Sequence, residues 1–326
     1  MSITFIIGNG FDLNLGMKTR YSDVYEGYIK APHTSNAIDK FKKELEDNYE
    51  NWSDFEMGMA EYAKTLQTEN ELIECIRDFK GFLAEHLRKE NEKLVERINA
   101  IQDERELARE IDRSLVQFYE GLVPNDRAKI EYVIKTNGSI CNYITFNYTT
   151  ALETILNIRS RRKGYSENAP IHIHGKLGEG IVLGVDNLSQ LIATKYAVTK
   201  RAERAFVKTL FNKQFDMMKV GNAERTIKSS SIICIYGFAM GETDATWVGM
   251  IADWLLEDKS NQLIYFKHNT PEINTCNYDE IMDIEDDYKL EIMRKLHLED
   301  ESILEQIHIP IGRKIFNFNL KEFAFA

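Results

Sequence analysis

The spacing of hydrophobic positions divides the chain into three stretches. Ile3, Phe5, Ile6 and Ile7 make a short apolar run that stops at Gly8-Asn9-Gly10-Phe11-Asp12, which predicts a buried strand entering a glycine-flanked turn. From about 20 to 135 the apolar residues instead recur at three and four: Ile38, Phe41, Leu45; Ile76, Phe79, Leu83, Leu87; Leu107, Ile111, Leu115, Phe118, Leu122. The positions between them are dense in Glu, Lys and Arg, so each run predicts a helix with one buried face. From about 139, apolar runs return at 140–146, 171–174, 181–185, 232–236 and 263–266. Helical stretches at 149–157, 195–220, 246–257 and 278–296 separate or follow them. Strands alternating with helices imply a parallel sheet. The predicted class is α/β, a Rossmann-like parallel sheet with a large α-helical insertion after the first strand. Residues 1–19 and 136–326 would form the nucleotide-binding domain. Residues 20–135 would form the insertion, covering the sheet or meeting another subunit.

Open parallel sheets bind ligands beyond the carboxyl ends of their strands. Four polar tails occupy such places: Gly8 to Asp12, Thr145-Phe146-Asn147-Tyr148-Thr149, His172-Ile173-His174-Gly175, and Tyr236-Gly237-Phe238-Ala239-Met240-Gly241. Singly, each has an ordinary explanation as a cap, a core histidine or a turn. Together at one edge they would line one cleft. The first turn completes neither standard phosphate motif, since Leu13 stands where a third glycine belongs and no Gly-Lys-Ser/Thr run exists. Its glycines would still let backbone N–H groups approach a phosphate. His174 beside Gly175 is a candidate general base, and His172 would face inward. No metal is expected, because no carboxylate completes a ligand pattern around the two histidines. Asn147 or Thr149 would cap the following helix, Asp12 the helix after the first turn, and Asp244 the one near 246.

Composition narrows the partners. A formal net charge of −11 argues against a general nucleic-acid grip, and the cluster Arg159, Arg161, Arg162, Lys163 is expected to be a solvated face. No apolar run reaches the roughly 18 residues a membrane span needs, so no membrane contact and a cytoplasmic location are expected. Cys75, Cys141, Cys234 and Cys276 form no C-x-x-C pair and are expected to be buried thiols.

Several motifs carry a resemblance. Gly8-Asn9-Gly10-Phe11-Asp12, Gly16-Met17-Lys18-Thr19-Arg20-Tyr21-Ser22-Asp23 and Trp52-Ser53-Asp54-Phe55-Glu56 resemble the AbiH family of bacteriophage abortive-infection proteins. The resemblance continues through Thr145-Phe146-Asn147-Tyr148, His172-Ile173-His174-Gly175 and Tyr236-Gly237-Phe238 to Asp244. The order of these motifs is also distantly similar to sirtuin-type NAD-binding domains. That likeness implies a phage-defence effector that binds NAD and hydrolyses it to nicotinamide and ADP-ribose, with Asn147 and His174 as catalytic residues. It would place Gly8, Asn9 and Gly10 at the pyrophosphate, Thr19, Arg20 and Tyr21 over the cofactor as a polar lid, and Gly237 and Asp244 at the adenosine half. Thr145, Asp12 and Glu56 join the same cleft, the two acids facing sugar hydroxyls or a cation. Two departures stand out: Thr149 replaces an acidic residue two positions after the Asn, and Phe11-Asp12 replaces a small residue and Ser. The cysteine quartet of deacetylating sirtuins is absent, so deacetylation is not expected. Two alternatives stay open: a non-catalytic nucleotide-binding sensor or scaffold, and a metal-dependent nuclease acting through Asp12 and Glu56. A homo-oligomer and a phage-derived trigger or defence partner are the expected associations.

Overall fold

The computed structural model describes residues 2–32, 35–101, 103–137, 140–164, 166–191, 194–215, 217–268, 278–311, 315, 316 and 320. Strand β1 (Ser2–Ile7) runs into the short helix α1 (Gly10–Asn14). There follow α2 (Tyr21–Lys30), α3 (Asn36–Asp47), α4 (Phe55–Ala63), α5 (Glu69–Asn99), α6 (Glu104–Val116) and α7 (Pro124–Asn137). No strand interrupts them among the described residues. The chain then alternates: β2 (Ile140–Thr145), α8 (Ala151–Lys163), β3 (Ile171–His172), β4 (Gly175–Lys176) and β5 (Gly180–Ile181). Helices α9 (Lys200–Phe206), α10 (Lys208–Phe215) and α11 (Met217–Lys228) lead to β6 (Ile232–Tyr236). Last come α12 (Ala245–Glu257), β7 (Gln262–Phe266), α13 (Tyr278–Lys295) and β8 (Ile307–His308).

Six strands form one parallel sheet in the order β3-β2-β1-β6-β7-β8. Counted within that sheet the order is 3-2-1-4-5-6, the Rossmann arrangement, so the fold is Rossmann-like α/β. The chain reverses its direction of winding between β1 and β6. Register makes that junction a cleft, because Ile7 lies opposite both Thr145 and Tyr236, and Thr145 lies opposite His172. The four strand ends are therefore level.

Alternation along β1 explains why both sheet faces are covered. Ile3, Phe5 and Ile7 pack with Tyr143, Ile232 and the buried residues of α6 and α8, whereas Ile6 joins Ile144, Ile233, Ile235 and the apolar side of α12. A separate core lies within the first helices: Tyr25, Tyr28, Phe41, Trp52, Phe55 and Phe79 pack together, with Phe55 and Phe79 stacked at 3.9 Å between ring centroids. Ile181, Leu183, Val185 and Phe206 complete that core from the far side of the sequence. The long α5 starts at a capping box in which the Thr68 hydroxyl accepts from the Glu71 N–H and the Glu71 carboxylate accepts from the Thr68 N–H.

Several expectations are corrected. The run 107–122 is not one helix: α6 stops at Val116, and Phe118 and Leu122 join the same core from the turn beyond it. The apolar run 181–185 adds nothing to the main sheet; β5 instead pairs antiparallel with β4 in a two-stranded ribbon. The stretch 195–220 is broken at Val207, which bridges Val185: the Val185 N–H donates to Phe206 O and the Lys208 N–H to Val185 O, both 2.9 Å. Arg159 leaves the expected solvated cluster, being buried and paired with Asp112 at 3.0 Å and with Glu167. Cys75 and Cys234 are buried and Cys141 is half-buried; Cys276 lies outside the described residues. No helix among the described residues is long and apolar enough to cross a membrane.

The glycines of the first turn serve packing. A Cβ on Gly8 would lie 2.5 Å from the Gly237 carbonyl oxygen, and one on Gly10 2.6 Å from the Gly237 Cα. Gly237 itself has a φ of 67°. Three glycines thus let the chain ends of β1 and β6 cross in contact. Gly8→Ala is expected to lower stability by about 2 kcal/mol, seen as a fall in the thermal unfolding midpoint, because neither backbone can retreat.

Candidate functional site

A cavity of about 290 Å³ opens at this crossing, at the lower end of the range for small-molecule sites. Gly8, Asn9 and Asp12 reach it from the β1 turn, and Thr19 and Tyr21 from the segment entering α2. Residues 146–149 approach from the end of β2, His174 from β3, and Gly237, Phe238, Thr243 and Asp244 from β6. Asp54 and Glu56 arrive on the first turn of α4, and Lys208 heads α10.

Asp12 lines it from the first turn. It is not a helix cap; it lies inside α1, 1% exposed, and its carboxylate accepts from Asn147 Nδ2 at 2.8 Å and from the Thr149 hydroxyl at 2.7 Å. Thr149, like Asn147, is thus tied to the first turn through Asp12. Burial raises the Asp12 pKa to about 7, more than the two hydrogen bonds and nearby His172 lower it. Asn147 is held twice more: its N–H donates to Thr145 Oγ1 at 3.1 Å, and its carbonyl faces His172 Nδ1 at 2.9 Å. The other ring nitrogen of His172 meets Glu153 at 2.7 Å, so His172 is engaged on both sides. The Asn147 side-chain oxygen is buried without a protein partner.

His174 belongs to a buried chain of charges. Its Nε2 lies 2.7 Å from Asp244 Oδ1, and the Lys208 ammonium donates to that same oxygen at 3.1 Å, to Thr243 O at 3.0 Å and to Glu56 Oε2 at 2.8 Å. The second Glu56 oxygen accepts from the Gly184 N–H at 3.0 Å. Burial alone would raise Asp244, but Lys208 and His174 outweigh it and hold the carboxyl below its usual range. Burial would lower Lys208, yet Asp244 and Glu56 hold it charged, while burial lifts Glu56. His174 is lowered by burial and by Lys208, against the pull of Asp244. A neutral imidazole facing an ionised carboxylate must carry its proton on Nε2. Nδ1 is then a bare lone pair, and it is buried without a partner.

Other expected site residues have structural work. The Gly8 and Gly10 N–H groups donate to Tyr236 O and Gly237 O at 3.0 and 2.9 Å, so the expected pyrophosphate contact through these two amides is corrected. The Thr19 hydroxyl donates to Asn9 Oδ1 at 2.6 Å and Asn9 Nδ2 donates to Thr19 O at 3.1 Å, pinning the segment entering α2 to the first turn. Arg20 does not join the cavity: it is exposed, with its N–H on Asp23. Thr145 is buried beneath Asn147, and Thr145 and the half-buried Gly10 both lie outside the lining. Asp244 stands at the start of α12 without capping it through its side chain, because Lys208 and His174 take the carboxylate. Asp54 does cap α4, accepting from the Glu56 and Met57 N–H groups at 2.9 and 3.1 Å.

The family model described as bacteriophage abortive infection AbiH matches residues 4–266, from within β1 to the end of β7. The chain belongs to the AbiH family, and its role lies in bacteriophage abortive infection. No curated protein matches the chain.

Proposed function

We propose that the cavity binds NAD and hydrolyses the bond between nicotinamide and ribose, making the chain an NAD-depleting effector of phage defence. The observation that carries this reading is the pair of unpartnered buried acceptors, Asn147 Oδ1 and His174 Nδ1, at the switch point of a Rossmann-ordered sheet. Each lacks a hydrogen atom that a ligand or its attacking water would bring. The remote likeness to sirtuin-type domains points the same way, with Asn147 and His174 in the roles it implies.

In this reaction a water oxygen bonds to the ribose carbon that carried the ring, and the bonding pair leaves on the ring nitrogen, turning a pyridinium into neutral nicotinamide. The water proton passes to His174 Nδ1. Positive charge develops on the sugar as the bond breaks, and the Asp12 carboxylate, fixed by Asn147 and Thr149, stabilises it without reorganising. Asn147 Oδ1 holds the ribose hydroxyl or the water. Purified chain incubated with NAD should release nicotinamide, and Asn147→Ala or His174→Ala should lower the rate by at least about a hundredfold. Intact NAD in cells mounting a defence response would sink the proposal.

Of the alternatives, a sensor that holds NAD uncleaved would use the same cavity, and binding without nicotinamide release would favour it. A nuclease needs clustered ligands for a divalent ion. Asp12 and Glu56 are separately engaged, and no group of three or more His, Cys, Asp or Glu able to hold a metal occurs among the described residues.

A further inference from the structure

The polar character of the cavity is one-sided. Asp12, Asp54, Glu56 and Asp244 bring four carboxylates to its lining, and the two unpartnered atoms, Asn147 Oδ1 and His174 Nδ1, also accept. Among the described residues that line it, Lys208 is the only lysine or arginine, and its three protons already meet Glu56, Thr243 and Asp244. Three of the hydroxyls that line it are already given to protein acceptors: Thr149 donates to Asp12, Thr19 to Asn9, and Tyr148 to Val182 O at 3.0 Å.

Such a surface repels phosphate and carboxylate and recognises hydroxyls, amide N–H groups and positive charge. From this we infer that the cavity takes the nicotinamide riboside end of the dinucleotide, leaves the phosphates outside, and rejects the otherwise identical nicotinic acid form; the inference rests on the NAD reading above. The ribose diol and carboxamide supply donors for Asn147, His174 and the carboxylates. The pyridinium supplies the positive charge that the carboxylates favour, and Phe146 and Phe238, stacked on each other at 4.1 Å between ring centroids, give the cavity an apolar edge. A ring carrying a carboxylate in place of the carboxamide would bring a negative charge against that acidic wall.

The test is equilibrium titration of the full chain with four probes, NAD, nicotinamide riboside, nicotinic acid riboside and ADP-ribose, with chromatography following ligand integrity. Nicotinamide riboside is expected to bind within about tenfold of NAD, and nicotinic acid riboside at least about thirtyfold more weakly than nicotinamide riboside, as like charges brought together require. ADP-ribose, which has the phosphates but no pyridinium, is expected to bind at least about tenfold more weakly than NAD. Equal binding of the two ribosides, or ADP-ribose as tight as NAD, would overturn the inference while leaving NAD as the ligand. If none of the four probes bound, the NAD reading would itself fall, and this inference with it.

Discussion

Asp12→Asn is expected to make the folded chain more stable at and above neutral pH while removing most of its turnover. The stability side follows from linkage. Burial disfavours the charged form of Asp12 and pushes its carboxyl from the ordinary 3.8 up to about 7 in the folded chain. Below 3.8 the group is protonated in both states and carries no penalty. As pH rises toward 7 the unfolded chain releases this proton and the folded chain keeps it, so stability declines; above 7 the loss is constant. The difference of about 3 pH units, at about 1.4 kcal/mol each, amounts to roughly 4 kcal/mol. An asparagine has nearly the same shape, accepts from Asn147 Nδ2 through its oxygen and donates to a rotated Thr149 hydroxyl, and never charges. Urea unfolding at pH 4 and pH 8 measures this: near-equal stability of the two chains at the lower pH, and a variant more stable by a few kcal/mol at the higher. If the proposed reaction is the chain's own, turnover of NAD should fall by about a hundredfold, since the fixed negative charge assigned to the ribose would be gone. A variant no more stable than the parent at pH 8 would show that the carboxylate is solvated in the folded chain.

The same residue illustrates what was legible in the sequence. Asp12 stood out by its place in the first turn, and the level ends of β1, β2, β3 and β6 followed from apolar runs that each stop at a polar tail. The parallel sheet and its helices could be read because each element carries its own period. The partnership of Asp12 with Asn147 and Thr149 could not, because it joins positions 135 and 137 residues apart whose local patterns suit helix caps equally well. Gly8, Gly10 and Gly237 looked like three places for a ligand; they form one contact between two backbones, which no single segment reveals. Lys208 left no signal at all. In a stretch that reads as one amphipathic helix, a lysine suggests a solvated face, and only the bridge of Val207 to Val185 breaks the helix so that Lys208 starts a new one pointing inward.

Lys208→Met is accordingly expected to change the protonation of His174, a residue that shares only the Asp244 carboxylate with it. With the ammonium present, Asp244 is an ionised acceptor for two donors, and His174 sits near a positive charge that helps keep it neutral. Without it, Asp244 is left facing the imidazole and Glu56 loses its charged partner, with Asp186 adding to the negative field at His174. Glu56, already lifted by burial, would take up a proton itself, while His174, facing the ionised Asp244 without the ammonium that disfavours its charged form, would bind a second proton on Nδ1 and lose that lone pair. Nitrogen-15 spectra of the imidazole at pH 7 should show an unprotonated Nδ1 in the parent chain and a protonated one in the variant. Nicotinamide release should fall by at least about tenfold at pH 7 and recover as pH is raised, since removing the acquired proton restores the base. Removing one partner of a buried ion pair costs about 3–5 kcal/mol, so a double variant, Glu56→Gln with Lys208→Met, takes away the facing charge as well and keeps the chain folded for the same spectrum. An Nδ1 that stays unprotonated in both variants would mean that the lysine only fills space, and that the basicity of His174 is set by burial and Asp244 alone.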